Sequence, residues 1–272
     1  NSLSPFNKTS IISRVNRNEK VKVDEMFSEV FQLAEKISGD TDGAFDITVA
    51  PMVNAWGFGF KTGNPPTRQT IDSLRAIVGF HTVSLQDGYV IKKNPKTMLD
   101  CSAIAKGYGT DVVARFLKKK GVQNFMVEIG GEIVVNGNSE KLQPWRIGIN
   151  KPTDDSLNTS QAIQDVVSVS NIAMATSGNY RNFYYKNGKK YAHTIDPKTG
   201  YPVQHNILSA TVFADDCATA DAYATSFMVL GLDGAKKILE KHSELCAYLI
   251  YSDQKGSNQI WYSPSLQKKL GK

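Results

Sequence analysis

The sequence predicts an α+β fold in which antiparallel or mixed sheets pack against helices, read as one unit over residues 1–272. Strand-like segments come in adjacent pairs joined by short turn signals, and helical segments fall between these groups rather than alternating with single strands. Hydrophobic residues make up 41% and charged residues 21% of the chain, an ordinary globular balance with enough apolar material for a substantial core. No apolar run reaches the roughly 18 residues that a membrane-spanning helix needs.

Residues 1–20 are polar and read as irregular. Val23, Met26, Phe27, Val30, Phe31, Ala34 and Ile37 recur at helical spacing and predict a helix over 23–39, with Gly39 as its stop. Residues 40–60, rich in glycine, aromatics and aspartate, read as a packed binding loop. Thr67 is an N-cap for a short helix through Val78. Asp87-Gly88 turns a hairpin over 81–92. A helix from about Ile104 to Lys120 ends on Gly121. Strands follow at 123–129 and 132–136, with Gly130-Gly131 between them, and at 145–149. The polar segment 151–163 reads as an exposed loop. Strand signal resumes at 165–174, and a second hairpin over 180–195 turns at Asn187-Gly188. A strand at 207–213 leads into helices at 216–230 and 233–241, and strands near 246–251 and 259–262 close the chain.

The net charge of +6 is modest. Lys118-Lys119-Lys120 ends a helix, where the dipole favours cations. Lys186, Lys189 and Lys190 flank a turn. Both clusters read as solvated edges rather than a nucleic-acid stripe, and the weak basic bias helps attract an anionic substrate. Cys101, Cys217 and Cys246 are far apart, odd in number and outside any CxxC, which argues against a disulfide framework or a zinc site.

Three segments carry chemistry. Residues 99–111 (LDCSAIAKGYGTD) pack small residues, Lys106 and two glycines ahead of a helix. Small residues let backbone amides approach a ligand, a helix N-terminus favours negative charge, and lysine adds a point charge where a phosphate would sit. The same segment also suits a tight connection. In residues 220–225 (ADAYAT), Asp221 and Thr225 share a helix face, and their hard oxygens suit Mg²⁺ or Ca²⁺ better than zinc. The alternative is a local cap and a hydroxyl bonded back to its own helix. In residues 193–200 (HTIDPKTG), His193 precedes a rigid Asp-Pro-Lys-Thr-Gly turn. It can take a proton from a hydroxyl nucleophile, or simply pack beside the turn. Gly130-Gly131 beside Glu128 is either a bulge or a place for a flat ring against backbone. Phe45, Trp56, Phe58 and Phe60 suit a core, or stacking on a flavin or purine if they line a cleft.

Taken together, the chain resembles the ApbE family of FAD:protein FMN transferases. The family's S-x-[YF]…S-x-[IL]-S-R-x-N pattern is matched by Ser4, Phe6, Ser10, Ile12, Ser13, Arg14 and Asn16. G-x-F-D-x-T-V-x-P-[LM]-V-x-x-W-G-F-G runs from Gly43 to Gly59, and LD-x-x-AIAKGY from Leu99 to Tyr108. Gly130-Gly131, T-S-G-x-Y-R (176–181), H-x-I-D-P-x-T-G (193–200) and A-D-A-x-A-T (220–225) complete seven ordered motifs.

The resemblance implies a central flavin cleft and Mg²⁺-dependent cleavage of FAD. AMP leaves, and FMN is carried as a phosphoester onto a Ser or Thr of an acceptor redox protein with a D-G-x-[ST]-G-A-[ST] type site. It implies metal ligation by Asp221, Thr225 and the Ala103 carbonyl, charge neutralisation by Lys106, and His193 as base. Asp196 and Thr199 would shape the flavin side. Ser102, Glu128, Gly130, Gly131 and Ser177 would line the nucleotide pocket, and Phe6 or Trp56 would cover a flavin face. Members usually act on the outer face of the cytoplasmic membrane, often as lipoproteins, so a lipid anchor upstream of residue 1 is expected. The family's first strand and helix precede the point where this sequence starts. Within the same chemistry, water in place of the acceptor makes an FAD pyrophosphatase, and loss of catalysis leaves an FAD-binding envelope protein.

Overall fold

The structure, a computed structural model, describes residues 2–59, 65–152, 162–179, 183–186 and 189–270. Its packing resolves into two compact units. One holds residues 1–105 and 193–203, the other 106–192 and 204–272.

The first unit is built around α2 (Glu25–Asp40), whose N-cap Asp24 accepts from the Phe27 amide. Its apolar stripe buries Phe27, Val30, Phe31, Ala34 and Ile37, and Phe31 meets the edge of Phe80 at 5.1 Å. The hairpin β1 (Val83–Gln86) and β2 (Tyr89–Lys92) turns at Asp87-Gly88 as expected. Thr67 caps α4, which covers Arg68–Arg75 and stops short of Val78.

Three features depart from expectation. Residues 1–20 contain α1 (Ile11–Asn16), capped by the Ser10 hydroxyl, which is too short for periodicity to register. The packed loop at 40–60 contains α3 (Ala50–Ala55). Gly39 does not stop α2, because the helix continues to Asp40 and the chain reverses through Asp42 (φ 51°) and Gly43 (φ 76°).

The second unit centres on a six-stranded antiparallel sheet of order β12-β11-β10-β7-β4-β3. These are β3 (Phe125–Ile129), β4 (Glu132–Asn136), β7 (Ile172–Gly178), β10 (Ile207–Ala214), β11 (Cys246–Ser252) and β12 (Asn258–Tyr262). Gly130 and Gly131 both take positive φ (64° and 99°), which makes the β3–β4 connection a two-residue hairpin turn rather than a bulge. The expected strand at 165–174 is two strands, β6 (Ile163–Val169) and β7. The break falls at Ser170-Asn171, where Asn171 takes the left-handed φ of 52° without glycine or proline to announce it. β6 pairs with β5 (Trp145–Asn150), and its start at Ile163 shortens the expected loop. Residues 153–161 lie outside the described residues. β8 (Phe183–Lys186) and β9 (Lys189–Ala192) form the second hairpin, with the Asn187-Gly188 turn outside the described residues.

Alternation along the strands covers both faces of the sheet. On β4 and β7, Ile133, Val135, Ile172 and Met174 face β5, β6 and the unanticipated α7 (Pro264–Leu270). Val134 and Ala173 face α5 (Ala105–Lys119) and α6 (Cys217–Lys241) in a separate cluster with Ala114, Phe125, Val127 and Cys217. The two expected helices at 216–230 and 233–241 lie on either side of a kink in α6 at Gly231 (φ 71°), where the backbone leaves helical geometry and His205 Nε2 bonds the Met228 carbonyl at 2.6 Å. α5 ends on Gly121 (φ 81°) as predicted. Among the described residues no helix is long and apolar enough to cross a membrane.

At Gly107, α5 approaches the start of α6 so closely that a Cβ there would lie 2.3 Å from the Cys217 carbonyl oxygen. Gly109, two residues further along the same helix, has open space. Gly107→Ala is therefore expected to lower the unfolding free energy by about 1–3 kcal/mol. Gly109→Ala should raise it by up to about 1 kcal/mol through helix propensity. Urea denaturation of the two variants checks both signs.

Candidate active site

In the second unit the site is assembled where α5 starts, β3 turns into β4 and α6 completes its first turn. α6 packs against β7, and Ala218 and Ala222 on its face that also carries Asp221 and Thr225 are buried, as are Ala173 and Ala175 of β7. Asp221 and Thr225 fall on that face one turn apart, as the spacing predicts. Asp221 is 5% exposed, and its Oδ2 accepts from the Gly107 amide at 3.1 Å. Thr225 Oγ1 lies 3.4 Å from Ser177 Oγ at the end of β7. Burial, and then repulsion from Glu132, push the Asp221 carboxyl up to about 7.

Lys106 is half-exposed and forms an ion pair with Glu132, which is 2% exposed. Its stem passes over Gly130, where a Cβ would meet Lys106 Cδ at 3.3 Å, so the glycine leaves the lysine its path. Glu132 is the acidic group that reasoning from sequence overlooked in favour of Glu128. Glu128 is exposed on β3, next to Val127, which faces the helices, so alternation turns Glu128 to the other side. Glu132, two residues beyond Gly130 on the partner strand, points to the helix side. The signal was the position of each carboxylate relative to the two-residue turn.

The donor set fits Mg²⁺. The second oxygen of Asp221 and the Thr225 hydroxyl are hard oxygens, and two carboxylates buried together favour a cation beside them.

The remaining sequence-predicted residues lie in the first unit. Ser102 and Ala103 form the turn before α5, where the Ala105 amide donates to the Cys101 carbonyl at 2.8 Å. Ser102 is exposed, and its amide donates to Asp100 Oδ1 at 2.8 Å. In the turn at 193–200, Asp196 Oδ1 accepts from the Lys198 amide at 2.9 Å and the Asp196 carbonyl accepts from the Gly200 amide at 2.8 Å. Thr199 Oγ1 accepts from the Tyr201 amide at 3.3 Å. His193 stands at the start of this turn, edge-on to Phe58 at 6.5 Å.

Trp56 is 4% exposed, and its indole N–H donates to the Gly200 carbonyl at 2.7 Å, so it buttresses the turn from within. Phe6, by contrast, is 77% exposed. Phe45 is core, and Phe60 and the Tyr180-Arg181 end of its motif lie outside the described residues. An open groove of about 1020 Å³ in this unit is lined by Asp42, Asp46, His81 and Lys198, among others. Lys198 pairs with Asp42. Asp46, buried, accepts from the Thr48 amide and hydroxyl at 2.8 and 2.7 Å, and Thr48 Oγ1 accepts from Gly79 at 2.7 Å. Both partners of that network, Asp46 and Thr48, lie in the F-D-x-T string of the 43–59 motif.

These elements identify the class before any single activity. The chain belongs to the ApbE family, whose model matches residues 1–250. A relative in Haemophilus influenzae, named FAD:protein FMN transferase, is 40% identical over 278 residues, which covers 98% of this chain and 79% of that protein. Among solved structures, the flavin transferase ApbE from Vibrio cholerae is 36% identical with a TM-score of 0.87, covering 98% of this chain and 85% of that one. The apo flavinyl transferase ApbE from Pseudomonas stutzeri is 30% identical with a TM-score of 0.88, covering 100% of this chain and 84% of that one.

Because Glu132 repulsion is one cause of the raised Asp221 carboxyl, Glu132→Gln is expected to shift its titration below about 7 in metal-free protein. Carbon-13 NMR of the carboxyl resonance against pH measures it. An unmoved midpoint means burial alone sets the value.

Proposed function

We propose that this chain is a Mg²⁺-dependent FAD:protein FMN transferase, which cleaves FAD and attaches FMN to a Ser or Thr of an acceptor protein with a D-G-x-[ST]-G-A-[ST] type site. The observation that carries the reading is the Asp221–Thr225 pair on α6 with Lys106 in the same cluster, in a chain whose relatives bear that activity's name. Asp221 and Thr225 would hold Mg²⁺, which would supply Lewis-acid neutralisation of the pyrophosphate. Lys106 adds a second positive charge for the phosphate oxygens, where charge grows as the anhydride opens. His193 takes the proton of the acceptor hydroxyl as its oxygen bonds to the FMN phosphorus. The bond from that phosphorus to the bridging oxygen breaks, and its electron pair leaves on AMP. Asp196 and Thr199 keep the turn that carries His193 rigid, and Phe6, exposed in this structure, would cover a flavin face. We assign this reaction to the cell envelope, on the outer face of the cytoplasmic membrane, as an expectation from the family resemblance.

The test is incubation with FAD and Mg²⁺, with and without a purified acceptor domain, following AMP by chromatography and flavin fluorescence on a denaturing gel. AMP with a fluorescent acceptor band is the expected result. AMP with free FMN alone makes the chain a pyrophosphatase, and uncleaved FAD in both arms makes it a binder. Asp221→Ala should abolish Mg²⁺-dependent turnover. His193→Ala should slow transfer about 10²-fold or more while FAD affinity changes far less.

The pH dependence follows from Asp221. Its carboxyl, at about 7 in the metal-free protein, must lose its proton to ligate. Apparent Mg²⁺ affinity should therefore fall about tenfold per pH unit below that value and level off above it. Calorimetric titration with MgCl₂ from pH 5.5 to 8 reads the curve, and a flat profile across that range removes Asp221 from the ligand set.

A further inference from the structure

Asp111 stands on α5 one turn beyond Gly107, is 8% exposed, and is no part of the machinery described so far. Its two carboxylate oxygens accept from consecutive amides at the start of α6, Oδ1 from Cys217 and Oδ2 from Ala218, each at 2.8 Å. The contact with Asp221 runs the opposite way: there the amide belongs to α5 (Gly107) and the carboxylate to α6. Each helix thus offers one carboxylate to the other's backbone, one turn apart, and the absence of a side chain at Gly107 lets the two backbones close to that distance. A bidentate carboxylate on two successive amides fixes both the axial position of α6 and its rotation, which a single hydrogen bond would not. The residues whose placement depends most on that rotation are Asp221 and Thr225, one and two turns further along. Asp216 already caps the helix locally through the Thr219 amide at 2.8 Å, so helix initiation does not require Asp111.

We propose that Asp111 is a positioning residue for the metal-ligand pair, holding α6 in the register that presents Asp221 and Thr225 without itself touching the ion. The inference rests on the metal reading given under the proposed function. It predicts a graded effect among neutral replacements. Asp111→Asn keeps one acceptor oxygen for an α6 amide, and Asp111→Ala keeps none, although both remove the same charge.

The experiment is calorimetric titration of the full chain with MgCl₂ alone, without FAD, at a temperature where every variant is folded by circular dichroism. Native protein, Asp111→Asn, Asp111→Ala and Asp221→Ala are compared. Leu266→Ala, a truncation in the core on the opposite face of the sheet, controls for lost stability. The expected result is Mg²⁺ affinity weakened tenfold or more in Asp111→Ala, about threefold in Asp111→Asn, and unchanged in Leu266→Ala. Asp111→Ala binding within twofold of native overturns the proposal. So does equal weakening in the Asn and Ala variants, since the effect is then one of charge. If native protein fails to bind Mg²⁺, or Asp221→Ala binds it as well as native, the metal reading itself has failed and takes the positioning role with it.

Discussion

At Gly107 the backbone of α5 lies against the carbonyl of Cys217, and nothing larger than hydrogen fits between them. The rest of the second unit is arranged around that contact. The first turns of α6 bury Ala218, Ala220, Ala222 and Ala224, and β7, against which α6 packs, buries Ala173 and Ala175. Small residues bury little area each, and the packing here trades hydrophobic bulk for proximity. Proximity is what lets backbone amides reach side-chain carboxylates across elements, and those bonds orient the candidate ligands.

Three buried carboxylates within this cluster are handled in three ways. Asp111 receives two amides, Glu132 an ammonium, and Asp221 the Gly107 amide on one oxygen. Burial raises Asp111 to about 6 and Asp221 to about 7, with Glu132 adding to the latter by repulsion. A buried charge is tolerable only where hydrogen bonds or an opposite charge replace water. On the proposed metal reading, protonation of Asp221 and ligation of a divalent cation by it are competing outcomes.

In the first unit, rigidity serves the 193–200 turn. Trp56 donates to Gly200 from below. Gly200 holds φ at 76°, where a Cβ would strike Ile71 at 2.7 Å, and Ile195 bridges Pro202 across the neck. This buttressing from a residue far away in sequence explains why an aromatic expected at a ligand face is buried instead. An indole offers both apolar area and one N–H, and here the N–H has a backbone partner.

What the sequence determined by itself was set by local backbone geometry. The i, i+4 pairing of Asp221 and Thr225, the Asp196–Gly200 turn, the paired glycines at 130–131 and the caps at Thr67 and Gly121 all follow from dihedral preferences and helix period, and the ordered motifs carried the family. Short helices such as α1 and α7 escaped because six or seven residues hold too few periods, and the β6–β7 break escaped because Asn171 makes the turn without glycine. Only the tertiary structure decided which carboxylates are buried, that Glu132 rather than Glu128 meets Lys106, that Trp56 is a strut, and that Asp111 grips α6. Those outcomes depend on which face of each element is covered by residues distant in the chain, and desolvation, unlike a dihedral, is a property of the neighbours.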